Sequence, residues 1–231
     1  VVFVPLERLL ELHEQKLFRR KWKQDLFYAV FNGLPIQLGL GTIIVGAVAL
    51  AAWAMPAGVQ EWVGALPFWV QLPVVILISD IGFYCAHRTF HKVPWLWKFH
   101  AVHHSIEELD WLAAHRVHPV DQIITKSASL VPIFAFGFSA APIAVYFLIY
   151  HWQSLLLHSN VAIPFGPLRW LVASPQFHHW HHANHVEAFD KNFAGQLSVL
   201  DWLFGTMHMP GKALPTRYGT DDPVPDGYVQ Q

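Results

Sequence analysis

Two long stretches almost free of charge decide most of what this chain can become. Residues 26–55 contain no Asp, Glu, Lys or Arg, and residues 68–86 contain only Asp80. The hydrocarbon core of a bilayer is about 30 Å thick and takes about 20 helical residues to cross, so each stretch predicts a spanning helix. Gly33, Pro35, Gly39, Gly41 and Gly46 in the first, and Pro73 in the second, are compatible with this, because membrane helices tolerate both residue types. Residues 56–67 carry one charge, Glu61, and join the two helices into a hairpin. Composition agrees: 13% of residues are charged and 54% hydrophobic, against about 25% charged in ordinary soluble domains.

Lys16, Arg19, Arg20, Lys21 and Lys23 precede the first stretch, and Arg88, Lys92 and Lys98 follow the second. Lys and Arg accumulate on the cytoplasmic side, which puts both ends of the hairpin there. Residues 5–23 read as an amphipathic helix, with Leu6, Leu9, Leu10, Leu17 and Phe18 near helical spacing. A basic helix of this kind lies on a lipid surface, and residues 1–25 are assigned to it. Residues 123–157 are apolar again, with Pro132, Gly137 and Pro142 near their middle. Two short helices meeting there return the chain to the cytoplasmic face. The expected fold is all-α: an integral membrane protein with four transmembrane helices in two hairpins over residues 26–162, and a cytoplasmic helical, histidine-rich cap over residues 163–231. A net charge of -1 and the lack of a basic, aromatic-interleaved patch give no reason to expect nucleic acid. Cys85 is the sole cysteine, which excludes an intrachain disulfide and a cysteine-based zinc cage.

The 16 histidines outnumber the 15 lysines and arginines together, and they are spaced. His87 and His91 fall about 40° apart on one helix face, and His100, His103 and His104 fit within about 100°. His178, His181 and His182 repeat the spacing of His100, His103 and His104, and His158 stands at the end of the last apolar stretch. Imidazole is the commonest protein ligand for iron, zinc, copper and nickel. One tetrahedral zinc takes four ligands, so nine histidines are too many for one ion and suit two. No Glu stands within a His-Glu-x-x-His arrangement, and Glu-x-x-His pairs are absent.

The run Asp80-x-x-Phe83-Tyr84-x-x-His87-Arg88-x-x-His91-x-x-Pro94-x-Leu96-Trp97-x-x-His100-x-x-His103-His104-Ser105 resembles the signature of the fatty acid hydroxylase/sterol desaturase superfamily. Arg116-Val117-His118-Pro119, His158, His178-x-x-His181-His182, Asp190-x-Asn192-Phe193 and Asp201-Trp202-Leu203-Phe204-Gly205-Thr206 continue the likeness in order, over residues 80–218. The resemblance implies a membrane non-haem di-iron oxygenase that takes O2 and electrons to hydroxylate, or alternatively to desaturate, a lipid. It carries the metal-binding role onto His87, His91, His100, His103, His104, His158, His178, His181 and His182. His118 matches a position that is either a ligand or a donor behind one. Some members carry a further histidine four residues before the last-span one, where this chain has Ser154; water, Asn160 or His118 would fill that place.

His179 and His185 are extra histidines beside the third cluster and are weighed as outlying ligands; His115 reads equally as a turn residue or as a group behind a ligand. His13 and His208 stand alone, and His151 beside Trp152 reads as structural. Asp80, about 10 Å deeper than His87 on the same helix face, is a functional candidate by its depth, expected to orient an imidazole N–H; the plainer alternative is a bond to another helix. Trp53, Trp62, Trp95, Trp97, Trp152 and Trp170 suit an interfacial belt. With no haem-binding His-Pro-Gly-Gly element and no flavin fingerprint, electrons are expected from a separate cytochrome b5-like, ferredoxin-like or reductase protein. The compact chain favours a bacterial inner membrane over the endoplasmic reticulum. A rival of another class is a histidine-rich metal transporter, whose sites belong near the bilayer midplane, whereas these clusters gather at one face; a second is a bis-histidine haem cytochrome.

Overall fold

The computed structural model describes residues 2–211 and 213–231. It is mostly helical, with no strand among the described residues beyond two isolated bridges. Helices α3 (Gly33–Ala54), α5 (Phe68–Lys92) and α8 (Ala140–His158) are each long and apolar enough to cross a membrane. Their outer surfaces show why: on α3, Leu34, Leu38, Val45 and Leu50 all point away from the protein, a cost in water that vanishes in lipid. The fourth long helix, α7 (Pro119–Ala135), has 17 residues, bears Asp121 and Lys126, and packs between α3 and α5. The chain turns at Gly137, where the proline and glycine pattern placed a break, while three helices among the described residues, not four, meet the length and polarity requirement for a span.

Close packing holds the bundle. A Cβ on Gly82 of α5 would sit 2.1 Å from the Ala128 carbonyl oxygen of α7, so only glycine lets these helices approach so closely. At the α7–α8 turn, Gly137 has φ +77, a left-handed conformation in which glycine carries no Cβ penalty. Val75, Leu130, Ile133, Ile143 and Tyr146 form the core between the helices.

Prolines set the corners that matter for function. Val93 is extended (φ -102, ψ 112) before Pro94, which opens α6 (Pro94–His104); a residue before proline is disfavoured in the helical region, and proline at the first helical position loses no hydrogen bond. The break at Val93 folds α6 back against the end of α5. Pro119 and Pro175 start α7 and α9 (Pro175–His181) in the same way, capped by His118, whose Nδ1 accepts from the Val120 N–H, and by Ser174, whose Oγ accepts from the Phe177 N–H.

The N-terminal expectation needs correction. Helix α1 covers only Phe3–Leu9, and helix resumes at α2 (Trp22–Phe31). Between them the backbone bonds elsewhere: Ala162 N–H to the Leu10 carbonyl (2.7 Å), and His13 in both directions to the Asn160 side chain (2.9 and 2.7 Å). These partners come from the far half of the chain and displace the helix that local spacing favours. The basic residues are also drawn inward: Arg19 reaches Asp25 (2.5 Å) and Asp110 (2.6 Å), and Arg116 closes the cluster on Asp25, all four being buried.

Removing one partner from a buried ion cluster leaves an uncompensated charge and costs about 3–5 kcal/mol. Asp25→Ala, which strands two guanidinium groups, is therefore expected to lower the thermal midpoint in detergent sharply, with Asp25→Asn milder. An unchanged midpoint would show that the cluster contributes nothing.

Candidate metal centre

The break at Val93 brings the ends of α5 and α6 together, and α8 and α9 complete the ring around them. Two sets of side chains converge: His87, His91, His100, His104 and His181 in one, and His103, His158, His178 and His182 in the other, each with ligand nitrogens within 4.8 Å of one another. All nine histidines singled out by spacing fall in these two sets, and each set mixes histidines distant in sequence.

Hydrogen bonds fix which nitrogens can serve. Nδ1 of His87 donates to the Phe193 carbonyl (2.7 Å), His103 to Arg116 (2.9 Å), His158 to Ser154 (2.8 Å) and His181 to Lys191 (2.8 Å). A carbonyl only accepts, so each Nδ1 carries the proton and each Nε2 presents a bare lone pair. His100 differs, its Nδ1 facing the Asp121 carboxylate at 2.6 Å. Yet the Nε2 atoms point at each other: His87 to His100 at 3.0 Å, His103 to His158 at 3.2 Å, and His104 to His181 at 3.0 Å. Lone pairs facing at 3.2 Å, as between His103 and His158, cannot form a hydrogen bond. A cation between them turns the repulsion into coordination. His91 Nε2, His178 Nδ1 and His182 Nδ1 are buried with no hydrogen-bond partner among the described residues. The donor set therefore fits metal.

Protons do not serve as the cation. Burial holds His103, His104, His178, His181 and His182 well below the usual histidine range, with neighbouring imidazoles adding to the effect, and burial brings His100 down to about 3.

The outlying candidates have other partners. Asn160 pairs with the His13 backbone, and its own N–H donates to Glu7. His118 caps α7, and His115 joins neither set. His179 faces outward from α9 to Tyr218 (2.8 Å) and the Ser159 carbonyl (3.1 Å), and His185 lies by Thr216. Asp80 touches no histidine: it accepts from the backbone N–H groups of Gly195, Gln196 and Leu197, a non-helical segment, so it neither orients an imidazole nor bonds to another helix. Asp121, behind His100, was not singled out from the sequence, although an acid two residues after the Arg116-Val117-His118-Pro119 element was a visible signal. Asp201 matters less directly, holding the Phe193 and Ala194 N–H groups (both 2.8 Å) and so the carbonyl that orients His87.

Two spaces adjoin the histidines. A cavity of about 60 Å³ touches both sets and is walled by Phe83, Thr125, Tyr150, Ser154, Leu157 and Gly195. A wider cleft of about 430 Å³ opens on His91, His104 and His181 from the side of Trp97, Asp190 and Asp222.

The fatty acid hydroxylase family model matches residues 72–206, more than half of the chain and a span containing all nine histidines. The chain belongs to the fatty acid hydroxylase family. Among its relatives, ornithine lipid hydroxylase OlsE of Rhizobium tropici is 28% identical over 100% of this chain and 73% of its own length. Alkylglycerol monooxygenase of Homo sapiens is 33% identical over 63% of this chain and 32% of its own length, so the likeness covers about a third of that protein. A putative methylsterol monooxygenase of Dictyostelium discoideum is 27% identical over 88% of this chain and 75% of its own length. No solved structure matches the chain. Membership makes this a membrane oxygenase of the lipid-hydroxylating kind, from a family known for iron-dependent enzymes, and the transporter and haem readings are not favoured.

The depressed imidazoles set the pH dependence of the metal-free protein. Unfolded, these groups titrate near their ordinary 6.5; folded, His100 and His179 do so at about 3, both through burial. Below 6.5 the unfolded chain binds more protons than the folded one, so stability is full above that pH and is lost as pH falls toward 3. Thermal midpoints of chelator-treated protein are expected to be level from pH 8 to about 6.5 and to fall below it; a midpoint rising on acidification would contradict the buried neutral cluster.

Proposed function

We propose that this chain is a membrane-bound non-haem di-iron oxygenase that hydroxylates a C–H bond of a membrane lipid, using O2 and electrons from a separate redox protein. The observation that carries the reading is the set of opposed Nε2 lone pairs in two histidine groups. One iron would be held by His87, His91, His100, His104 and His181, the other by His103, His158, His178 and His182. Bound there, iron supplies the change of oxidation state that O2 activation requires and that zinc lacks.

The protein's part is positioning. Backbone carbonyls keep the proton on Nδ1 and turn Nε2 inward, and Asp121 does the same for His100 with a carboxylate. Ser154 stands where some family members add a histidine, and it leaves the second group with four; its side chain borders the 60 Å³ cavity. That space touches histidines of both groups, so a lipid carbon held there would lie beside both metals if they were bound. Phe83 and Leu157 give its wall apolar surface.

The relatives are named for an ornithine lipid, an alkylglycerol and a methylsterol. An amphipathic lipid anchored at the membrane face is common to all three and is the substrate class proposed here. Hydroxylation is favoured over desaturation because every one of these three names specifies oxygen insertion or a monooxygenase. In the proposed topology α7 completes the second hairpin as a short fourth span, and the basic residues flanking the first hairpin put the histidines on the cytoplasmic side of a bacterial inner membrane.

The test is expression in a bacterial host followed by mass spectrometry of total lipids. A lipid gaining one oxygen atom is expected with the wild type and absent with His103→Ala or His158→Ala; a product persisting in either variant, or after complete iron removal, overturns the reading. Purified protein should bind two iron ions. Loss of a carboxylate behind a metal-bound histidine costs about 10- to 100-fold in metal affinity, so Asp121→Asn is expected to weaken one of the two sites by that factor, read by iron titration.

A further inference from the structure

The C-terminal third of the chain does not simply cover the aqueous face. Asp80 lies seven residues before His87 on α5, about 10 Å further from the histidine end, and it accepts from the N–H groups of Gly195 (2.9 Å), Gln196 (3.0 Å) and Leu197 (2.6 Å). On α8, Gln153, five residues before His158, donates to the carbonyls of Ala173 (3.4 Å) and Gln196 (3.1 Å). The two C-terminal stretches are also tied to each other, by Ala173 N–H to the Gln196 carbonyl (2.9 Å) and by Ser198 Oγ to the Arg169 carbonyl (2.8 Å). Residues 165–173 and 195–206 are therefore pinned against α5 and α8 one to two helical turns below the histidines.

Irregular backbone at such a depth is tolerated only where its polar groups are satisfied within the protein. Here two buried carboxylates do that: Asp80 takes three N–H groups, and Asp201 takes those of Phe193 and Ala194 together with Thr206 Oγ1 (2.6 Å). The inner side of the segment is thus finished for a low-dielectric setting.

The outer side is apolar. Leu168, Trp170, Leu171, Trp202, Leu203 and Phe204 are between 46% and 64% exposed. Phe204 stacks on Tyr84 of α5 with ring centres 5.0 Å apart. Leu77 and Ile81, exposed on α5, fall seven and three residues before Tyr84, on the same helix face. The patch therefore continues the apolar surface of a spanning helix. In these two stretches the only charged residues are Asp201, which is buried, and Arg169, whose guanidinium lies 5.2 Å over the Trp170 ring. A large apolar patch edged by one cation and a tryptophan suits the level of lipid phosphates, where long basic side chains extend toward the headgroups.

We infer that residues 165–173 and 195–206 form a re-entrant wedge embedded in the leaflet on the histidine side, and that its partner is the lipid bilayer. Gly195 belongs to this wedge and also lines the 60 Å³ cavity beside both histidine sets. A lipid in that leaflet is consequently level with the cavity and approaches it sideways. The wedge stands on the fold alone and does not depend on the proposed reaction.

Nitroxide labels on single cysteines in phosphatidylcholine liposomes test this directly. Leu168→Cys, Leu171→Cys and Leu203→Cys, each combined with Cys85→Ala, are compared with native Cys85, which is exposed on α5, and with Glu107→Cys on the exposed polar side. The ratio of collisions with O2 to collisions with a water-soluble nickel chelate is expected to match Cys85 and to exceed the Glu107 position several-fold. A ratio equal to that at Glu107 makes the segment an aqueous cap and overturns the inference. Low collision rates with both reagents mean that a second copy or another protein covers the patch, which overturns it equally. A single gel-filtration peak in detergent and a wild-type helical circular dichroism spectrum report that each labelled protein is folded, and Trp170→Cys or Trp202→Cys replaces any position that fails this check.

Discussion

Nine imidazoles crowded against one another are the constraint around which this structure is arranged. Lone pairs 3.0–3.2 Å apart repel one another, and burial removes the option of protonating them. The surrounding scaffold must hold them against that repulsion, and it does so with many weak grips. Carbonyls of Arg116, Ser154, Lys191 and Phe193 each hold one ring, from three different parts of the chain. Two of those residues are held in turn, Arg116 by the buried Arg19–Asp25 cluster and Phe193 by Asp201. These buried charged groups stand where they steady the histidines from outside.

The two histidine sets are not equivalent. In the five-histidine set His100 is hydrogen-bonded to the Asp121 carboxylate and His91 Nδ1 lies 3.6 Å from Asp190, whereas the backing found in the four-histidine set comes from neutral carbonyls. A carboxylate behind an imidazole raises its basicity. The two positions thus offer a cation different donor strength as well as different donor number.

Much of this was legible in the residues. The spans followed from charge-free stretches, the α7–α8 turn from Pro132, Gly137 and Pro142, and the nine converging histidines from repeated spacing. Other features depended on partners remote in sequence. Residues 10–21 have helical spacing but bond to Asn160, Ala162 and Asp110, so local pattern misreads them as helix. Asp80 looked like an imidazole partner because its depth was visible and Gly195–Leu197 were not. The packing of residues 165–173 and 195–206 beside α5 and α8 was hidden because their partners, Asp80 and Gln153, lie far away in sequence.

The placement of the supporting groups also has a consequence for how the protein is made. His87 and His91 are synthesised early, but the carbonyl that accepts from His87 Nδ1 belongs to Phe193, and each set is incomplete until His178, His181 and His182 have followed. The first twenty residues wait longer still, since His13 closes on Tyr218 and Lys21 on Asp226. The spans can enter the bilayer one after another as they emerge, but the metal site cannot begin to close until nearly the whole chain has left the ribosome. A nascent chain halted before residue 178 would be a membrane protein with histidines and no site.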